Sequence, residues 1–541
     1  MRYTEKFGKE GRQHMGIYLN PPADAFEVIL NKNIYIDKSG LISYTNSVLG
    51  SSRMLTCFSR PRRFGKSYAA KMLAAYYSRG ASTDSLFRDL KIAECDSYKA
   101  NLNHYDVLFL DIAWFISISS TIENTVHEMQ ESIISELRDA FPSCVGETVC
   151  SLPVALLQIS AKTGRKFFII IDEWDALFRE AAADVALQKS YIQLLRALFK
   201  GLQVSQFLVG AYMTGILPIK KYGTQSALTD FREFTMLEPG FLAEYVGFTE
   251  NEVRELCQAH QIDFNEANKW YNGYHFDKIG HVYSPNSIIE AVINRKFSNY
   301  WTQTETYESL RIYIDMDFDG LKQAIIDMLG GQKCRIDAGT FQNDMTSLKS
   351  RDDVLTLLVH LGYLAYDEDS REVCIPDEEV RQEFLRAVRN GKRKELVKAI
   401  QLSDKLLDAT LNMDTETVAD ILEEFHEANT APQFYNNEQA LRSVVIMAYL
   451  SSIDHYVRFE ELASGKGYTD ILFLPGLESS KPALIIELKW DKSAQGAISQ
   501  IKKKNYAQVL SKFHYRGRLL LVGINYNSHT KKHYCKIEEI F

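Results

Sequence analysis

Asp470, Glu487 and Lys489 are the residues whose types and spacing first suggest chemistry. Glu487 and Lys489 sit in Pro482-Ala483-Leu484-Ile485-Ile486-Glu487-Leu488-Lys489-Trp490, an otherwise apolar run of strand character. Side chains alternate across a strand, so residues two apart share a face. An ionised carboxylate taken out of water is expensive unless a partner or a metal ion compensates it, and two charges on one face of a buried-type strand therefore need a reason. Asp470, just ahead of Ile471-Leu472-Phe473-Leu474, brings a second carboxylate from the neighbouring strand. Oxygen ligands at this density suit Mg²⁺, with Mn²⁺ as the alternative, and such an ion activates water and neutralises charge on a phosphodiester in the transition state. Lys489 would orient the water or stabilise the phosphorane. The plain structural alternative is a strand-end salt bridge from Glu487 to Lys489 or Lys492, because D-x(n)-E-x-K spacings arise often by chance.

A second constellation lies near the other end of the chain. The apolar run Met54 to Phe58 leads into Ser59-Arg60-Pro61-Arg62-Arg63-Phe64-Gly65-Lys66-Ser67 and then a helical pattern, Tyr68 to Tyr77. This reads as a P-loop, in which backbone N–H groups at a helix N-terminus wrap phosphates, a Lys reaches the β- and γ-phosphates and a Ser or Thr binds magnesium. Gly65, Lys66 and Ser67 fit those roles. Arg60 stands where the first Gly of G-x-x-x-x-G-K-S would be, and with Arg62 and Arg63 it makes the loop a basic nucleotide-binding candidate. Downstream, Phe167-Phe168-Ile169-Ile170-Ile171-Asp172-Glu173 is an apolar strand ending in two acids. Asp172 would hold the magnesium ion together with Ser67, and Glu173 would orient or deprotonate the attacking water. Thr214, after the strand Phe207 to Met213, is placed to sense the γ-phosphate. Taken singly, the loop also reads as a surface arginine cluster, and Asp172-Glu173 as an acidic turn.

Both constellations need a scaffold, and its elements are legible. Strand-like runs at Arg53 to Ser59, Val107 to Ile112, Lys166 to Ile171 and Gln206 to Thr214 alternate with helix-length segments, as in a parallel sheet covered by helices. From about Phe248 the pattern turns helical, in Glu250 to His260, Phe264 to Tyr271 and Pro285 to Arg295, which predicts a lid. The helix-like Asp352 to Leu361, then Gly362 to Tyr366 and Glu372 to Pro376, predicts a winged-helix-like arm that serves for packing or for DNA. A charged helical stretch, Asn390 to Glu427, follows.

At 541 residues the chain is long enough for two to four domains. Its net charge of -8 argues against coating nucleic acid through bulk charge, so a partner must be met by local patches. One such region is Lys492, Lys502, Lys503, Lys504, Lys512, Arg516 and Arg518, interleaved with Tyr506 and Tyr515 for base stacking; a solvated lysine-rich face is the alternative. The eight cysteines show no C-x-x-C pair and no metal-ligand spacing, which predicts a reducing compartment. The first residues, with Arg2, Glu5, Lys6, Lys9, Glu10 and Arg12, have no apolar signal-like core, and no stretch has the length of a membrane span. The expectation is a cytoplasmic protein with no membrane partner.

The loop also resembles a known family. Ile34-Tyr35-Ile36-Asp37-Lys38-Ser39-Gly40-Leu41-Ile42, the P-loop segment, Ile171-Asp172-Glu173-Trp174-Asp175, Trp270-Tyr271-Asn272-Gly273-Tyr274 and Tyr283-Ser284-Pro285-Asn286-Ser287 look like the bacterial AAA-ATPase-like family, whose own loop pattern includes the arginine at position 60. The region from Gln433 to Tyr526 resembles the PD-(D/E)XK nuclease superfamily domain that accompanies it, with Thr469 where a Pro often precedes the first acid. That resemblance adds Glu438, on a helix spanning Asn436 to Leu450, as a third metal-shell acid beside Asp470 and Glu487, and Gln500 on the following helix as a catalytic residue, with Tyr506 a weaker candidate. The implied fold class is α/β: a P-loop NTPase parallel sheet with a helical lid and winged-helix-like arm, plus a C-terminal α/β restriction-endonuclease-like domain. The expected boundaries are 1–240 for the ATPase core, 241–340 for the lid, 341–430 for the arm and connector, and 431–541 for the nuclease-like domain.

The resulting expectation is an ATP-binding protein, with ATP and Mg²⁺ as cofactors, whose P-loop module controls a nuclease domain acting on nucleic acid, DNA rather than RNA, with foreign or mobile DNA as the target the resemblance implies. A homo-oligomer stays open, with Arg196, Arg232 and Arg254 as candidates to act across a subunit interface. Two rivals remain: a nucleotide-dependent switch whose C-terminal fold binds without cutting, and a nuclease whose P-loop is only structural.

Overall fold

Phe167 to Ile171 is apolar on both faces, a pattern that only a strand covered on both sides can use. In the computed structural model it is β3 (Phe167–Asp172), fully buried inside a five-stranded sheet. Its companions are β1 (Leu55–Ser59), β2 (Asp106–Asp111), β4 (Leu208–Gly215) and β5 (Arg232–Phe234), all parallel and in the order β2-β3-β4-β1-β5. Helices Thr125–Ala140, Leu152–Thr163 and Val185–Phe199 supply much of the core against this sheet. β5 escaped the sequence reading because two of its three residues are charged, and pairing with β1 rather than propensity makes it a strand.

The structure describes residues 16–31, 34–80, 82–219, 228–276, 278–301, 307–316, 318–341, 348–391, 394–429, 437–464, 467–475, 479–513 and 515–540. The charged residues Arg2 to Arg12, and Gln433 and Asn436 at the start of the nuclease-like segment, lie outside them, as does the side chain of Lys512.

Contacts divide the chain into two compact units, residues 1–300 with 335–378, and residues 301–334 with 379–541. In the first, the expected lid helices are present as Glu250–His260, Phe264–Tyr271 and Pro285–Asn294. A capping box of Thr249 and Glu252 fixes the start of the first of these. The segment is not purely helical, however. β6 (Phe248–Thr249), β7 (Asn272–Phe276) and β8 (Gly280–Tyr283) form an antiparallel sheet in the order β6-β8-β7, too short to show as strand periodicity. After the short strand β9 (Cys334–Arg335), the helix Arg351–Leu361 precedes an antiparallel hairpin of β10 (Ala365–Asp367) and β11 (Glu372–Cys374), the helix-then-hairpin order expected of the arm.

In the second unit, the charged stretch after Asn390 holds two helices, Lys394–Leu411 and Thr415–Asn429. The C-terminal sheet has the order β12-β13-β14-β15-β16, from β12 (Tyr456–Ser464), β13 (Gly467–Pro475), β14 (Ala483–Trp490), β15 (Leu519–Asn527) and β16 (Lys532–Ile540). Only β14 and β15 run parallel, and the helix Ala494–Lys504 makes the crossover between them. Among the described residues no helix is long and apolar enough to cross a membrane.

Candidate active sites

The loop after β1 is shaped by two residues of positive φ, Arg63 at 63° and Gly65 at 91°. A Cβ on Gly65 would touch nothing within 4 Å, so the demand for glycine there is conformational and not one of space. Phe64 is fully buried and meets Tyr274 of β7 edge-on at 5.3 Å, pinning the loop from below. The helix Lys66–Tyr77 starts directly after Gly65, so its first N–H groups, which lack intrahelical partners, belong to the loop. Lys66 is buried and folds back over the loop, with Nζ donating to the carbonyl oxygens of Arg60 at 2.9 Å and Pro61 at 2.8 Å. Burial pushes its ammonium down to about 8 against the opposing pull of Asp172, Asp175 and Glu173. Ser67 lies beside it on the first helical turn, and Arg62 and Arg63 are exposed.

The structure does not bring the Arg60 guanidinium to this cradle. It is fully buried, donates to the carbonyl oxygens of Phe234 at 3.0 Å and Pro239 at 3.4 Å, and stacks over Phe276 at 5.0 Å. Arg60 therefore ties the loop to the segment after β5 and to β7. Burial holds the guanidinium down to about 9, and burial, with Arg60 beside it, pushes His360 down to about 3.

β4 lies between β1 and β3, which sets Thr214 next to Asp172: the Thr214 hydroxyl donates to Asp172 Oδ1, and the Glu173 N–H reaches the same oxygen at 3.1 Å. Glu173 sits at φ 51°, a left-handed conformation uncommon outside glycine. Arg179 holds its carboxylate, Nη2 to Oε2 at 2.9 Å, and reaches Asp175 Oδ2 through Nε at 3.1 Å. Asp175 is itself buried and accepts N–H bonds from Ile216 and Leu217, at 3.2 and 2.9 Å, which joins the end of β3 to the loop after β4. Asp111, in register with Asp172 on β2, is pushed above the ordinary carboxylate range by burial and then by the charges of Asp172 and Glu173.

In the second unit, Glu487 and Lys489 point to one face of β14, as alternation requires, and both are buried. Lys489 Nζ donates to Glu487 Oε1 at 3.0 Å and to the Leu488 carbonyl at 2.7 Å. Gln500, on the crossover helix, donates to the same Glu487 oxygen, and its amide also reaches Tyr506 Oη at 3.3 Å. Glu487 Oε2 is buried and has no hydrogen-bond partner among the described residues. Burial pushes the Glu487 carboxyl up to about 7, with Asp470 and Glu438 adding to the rise and Lys489 opposing it. Asp470 on β13 accepts the Leu488 N–H at 2.8 Å through Oδ2, and Arg442 Nη2 at 3.2 Å through Oδ1.

Glu438 opens the helix Glu438–Ala448, which Asn437 caps. The three expected metal-shell acids therefore lie in one neighbourhood, but among the described residues no three His, Cys, Asp or Glu side chains converge closely enough to hold an ion. Protein donors hold both oxygens of Asp470 and one of Glu487. The donor chemistry still fits a hard divalent cation: Asp470 and Glu438 lie near enough to add to the rise of the Glu487 carboxyl, and Glu487 keeps one buried oxygen left over. One expectation for the basic region needs correction. Tyr506 is fully buried, so it supports Gln500 and offers no face to a base. Lys502 pairs with Glu538 and Arg518 with Glu539, and both cations stay about half exposed.

Residues 23–224 match the model of a family described as predicted AAA-ATPase, and residues 436–535 match the PD-(D/E)XK nuclease superfamily. The chain joins an AAA-ATPase-like module to a PD-(D/E)XK nuclease superfamily domain. Two solved structures are similar at low level. The Aeropyrum pernix ORC2 protein in ADPNP-ADP complexes is 10% identical, over 66% of this chain and 96% of that one, with a TM-score of 0.29. The Aeropyrum pernix ORC1 protein in complex with DNA is 10% identical, over 69% of this chain and 97% of that one, with a TM-score of 0.25. No curated protein matches the chain.

In the AAA-ATPase-like module, sequence reasoning missed Arg179 and Asp111, and named Asp175 without a role. In the nuclease-superfamily domain it missed Arg442, although its position four residues after Glu438, on the same helix face, was a signal.

Proposed function

We propose that the chain hydrolyses ATP at the P-loop site and cuts phosphodiester bonds of nucleic acid, DNA in preference to RNA, at the C-terminal site, with the first reaction controlling the second. The observation that carries this reading is Glu487, a buried carboxylate with one free oxygen, set beside Asp470 on the next strand and Lys489 on its own. An apolar strand interior tolerates such a group only when something offsets its charge, and the lone Lys489 ammonium offsets it in part.

At the P-loop, Lys66 exchanges its two loop carbonyls for the β- and γ-phosphate oxygens, and the N–H groups of Gly65, Lys66 and Ser67 take the rest of the charge. Glu173, held by Arg179, orients water toward the γ-phosphorus, and Thr214 reads the phosphate through Asp172. A magnesium ion held by Ser67 and Asp172 would neutralise charge on the triphosphate. Because Arg60 and Phe64 of the same loop rest on β7, a change in loop conformation reaches the lid directly.

At the second site, Asp470 and Glu487 would hold a divalent cation, with Glu438 in reach. That ion, Mg²⁺ or Mn²⁺, would supply Lewis-acid activation of water and of the phosphodiester. Lys489 orients the water, and Gln500 keeps the Glu487 carboxylate turned toward the site. Hydrolysis joins the water oxygen to phosphorus and breaks one P–O ester bond, the leaving oxygen taking a proton from solvent. A cytoplasmic setting, the four-part domain division and foreign or mobile DNA as target belong to this reading.

A second reading is favoured by one observation, the commitment of both Asp470 oxygens to protein donors: a nucleotide-dependent switch that binds nucleic acid without cutting it. The deciding experiment is cleavage of single- and double-stranded DNA and RNA with Mg²⁺ or Mn²⁺, with and without ATP, by wild type, Lys489→Ala and Lys66→Ala. Cleavage lost in Lys489→Ala and altered by ATP in a Lys66-dependent way supports the first reading. No cleavage of any substrate, with ATP still bound, gives the lead to the switch.

A further inference from the structure

Arg442 lies on the helix Glu438–Ala448, one turn beyond Glu438. Its guanidinium bridges two acids, Asp470 through Nη2 at 3.2 Å and Glu461 through Nη1 at 2.5 Å, while its Nε is buried and has no partner among the described residues. The side chain is only 20% exposed. An arginine in this position does something a metal ion would also do: it neutralises Asp470. It also occupies Asp470 Oδ1, an oxygen that a metal ion at this site would need. We propose that Arg442 and a divalent cation compete for Asp470, and that the guanidinium displaced from Asp470 binds a phosphate of the nucleic acid. The fork of N–H donors that fits a carboxylate fits a phosphate oxygen pair equally well. Arg442 thereby links metal loading to substrate binding, since the donor is released only when the ion is in place. This inference rests on the nuclease reading and names the residue that would make the site respond to substrate.

The test measures two binding reactions on the full chain, Mn²⁺ alone by calorimetry, and a short double-stranded DNA in Ca²⁺ by fluorescence anisotropy. The proteins are wild type, Arg442→Ala, Arg442→Gln and Glu487→Gln. Loss of a charged competitor of this exposure is expected to tighten Mn²⁺ binding of Arg442→Ala by roughly tenfold, while its affinity for DNA falls by a similar factor. Arg442→Gln, which keeps a neutral donor to Asp470, should fall between wild type and Arg442→Ala, and is read in its place if the alanine variant does not fold. Mn²⁺ affinity equal to or weaker than wild type in the Arg442 variants overturns the proposal. So does unchanged DNA affinity. If Glu487→Gln leaves Mn²⁺ binding intact, the nuclease reading itself fails; if Mn²⁺ binding depends on Glu487 but is indifferent to Arg442, only this inference does.

Discussion

Lys66 and Lys489 are equally buried, each 7% exposed, yet only one of them is paired directly with a carboxylate. Lys66 donates to two backbone carbonyls of its own loop, and the acids around it, Asp172, Glu173 and Asp175, are held by Thr214, by Arg179 and by the N–H groups of Ile216 and Leu217. Lys489 donates to one backbone carbonyl, that of Leu488, and to a carboxylate, that of Glu487 two residues away on its own strand. The first site is thus a set of charges each held by its surroundings, with a helix N-terminus presenting spare N–H groups. It is arranged to receive an anion. The second is a set of charges that neutralise one another incompletely, with carboxylate oxygens in excess. It is arranged to receive a cation. Ligand chemistry follows from what the protein leaves over, not from the lysine the two sites share.

The largest effects are expected at the two lysines. Lys66→Ala should reduce ATP hydrolysis by roughly 100-fold or more, the scale of removing one preorganised electrostatic contact, and should weaken ATP binding as well. Lys489→Ala should abolish cleavage to the same degree but leave Mn²⁺ binding intact or stronger, because Glu487 is then less neutralised. Steady-state ATPase and nuclease assays with calorimetry decide this. Loss of Mn²⁺ binding in Lys489→Ala would break the contrast, since it would make the lysine part of the ligand site and not a charge beside it.

A smaller effect separates the loop's arginines. Arg60→Ala leaves the carbonyls of Phe234 and Pro239 without their donor, at about 1–3 kcal/mol for each buried group, and opens a space against Phe276. Urea unfolding should show a clear loss of stability. Arg62→Ala, at an exposed position, should stay within about 0.5 kcal/mol of wild type. Equal losses would mean that Arg60 is no strut. Smaller again is Gly215→Ala at the end of β4. Its Cβ would lie 2.5 Å from the Trp174 ring and 2.8 Å from Asp175 Oδ1, so overpacking of about 1–3 kcal/mol is expected, with reduced ATPase activity because Asp175 must shift.

How much of this was legible in the sequence differs between the sites for a physical reason. Gly65-Lys66-Ser67 and Asp172-Glu173 are local: a phosphate cradle is one loop and one helix start, so its residues are contiguous. Glu487 and Lys489 were legible because strand alternation fixes their common face. Arg60 was misread because a basic residue in a phosphate loop suggests an anion, and only the fold reveals that its donors meet Phe234 and Pro239. Arg179 was missed although its i,i+4 spacing from Asp175 was open to view, and the pairing of Arg442 with Asp470 was missed because tertiary packing alone brings that helix to β13. Likewise β5, β7 and β8 are strands by pairing, with too few residues to show a period. The helices Glu250–His260 and Phe264–Tyr271, amphipathic and capped, matched their expected limits.

The smallest expected effect probes the excess of carboxylate directly. Folding raises Glu487 from an ordinary 4.5 to about 7, chiefly through burial. A raised carboxyl takes up a proton on folding between those values, so its contribution to stability is fully present below about 4.5 and is lost as pH rises through about 7. Glu487→Gln, which mimics the protonated form, should therefore melt close to wild type at pH 5 and above it by a few degrees at pH 8, without added metal. Saturating Mn²⁺ should reverse the order at pH 8, because an ion that binds only the folded, ionised site stabilises it by mass action. Thermal melts at pH 5 and pH 8, with Mn²⁺ or with chelator, give the four points needed. A variant less stable than wild type at pH 8 in chelator would mean that Lys489 and Gln500 already neutralise Glu487 in full. The second site would then resemble the first, as a set of satisfied charges, and its reading as a cation receptor would fall.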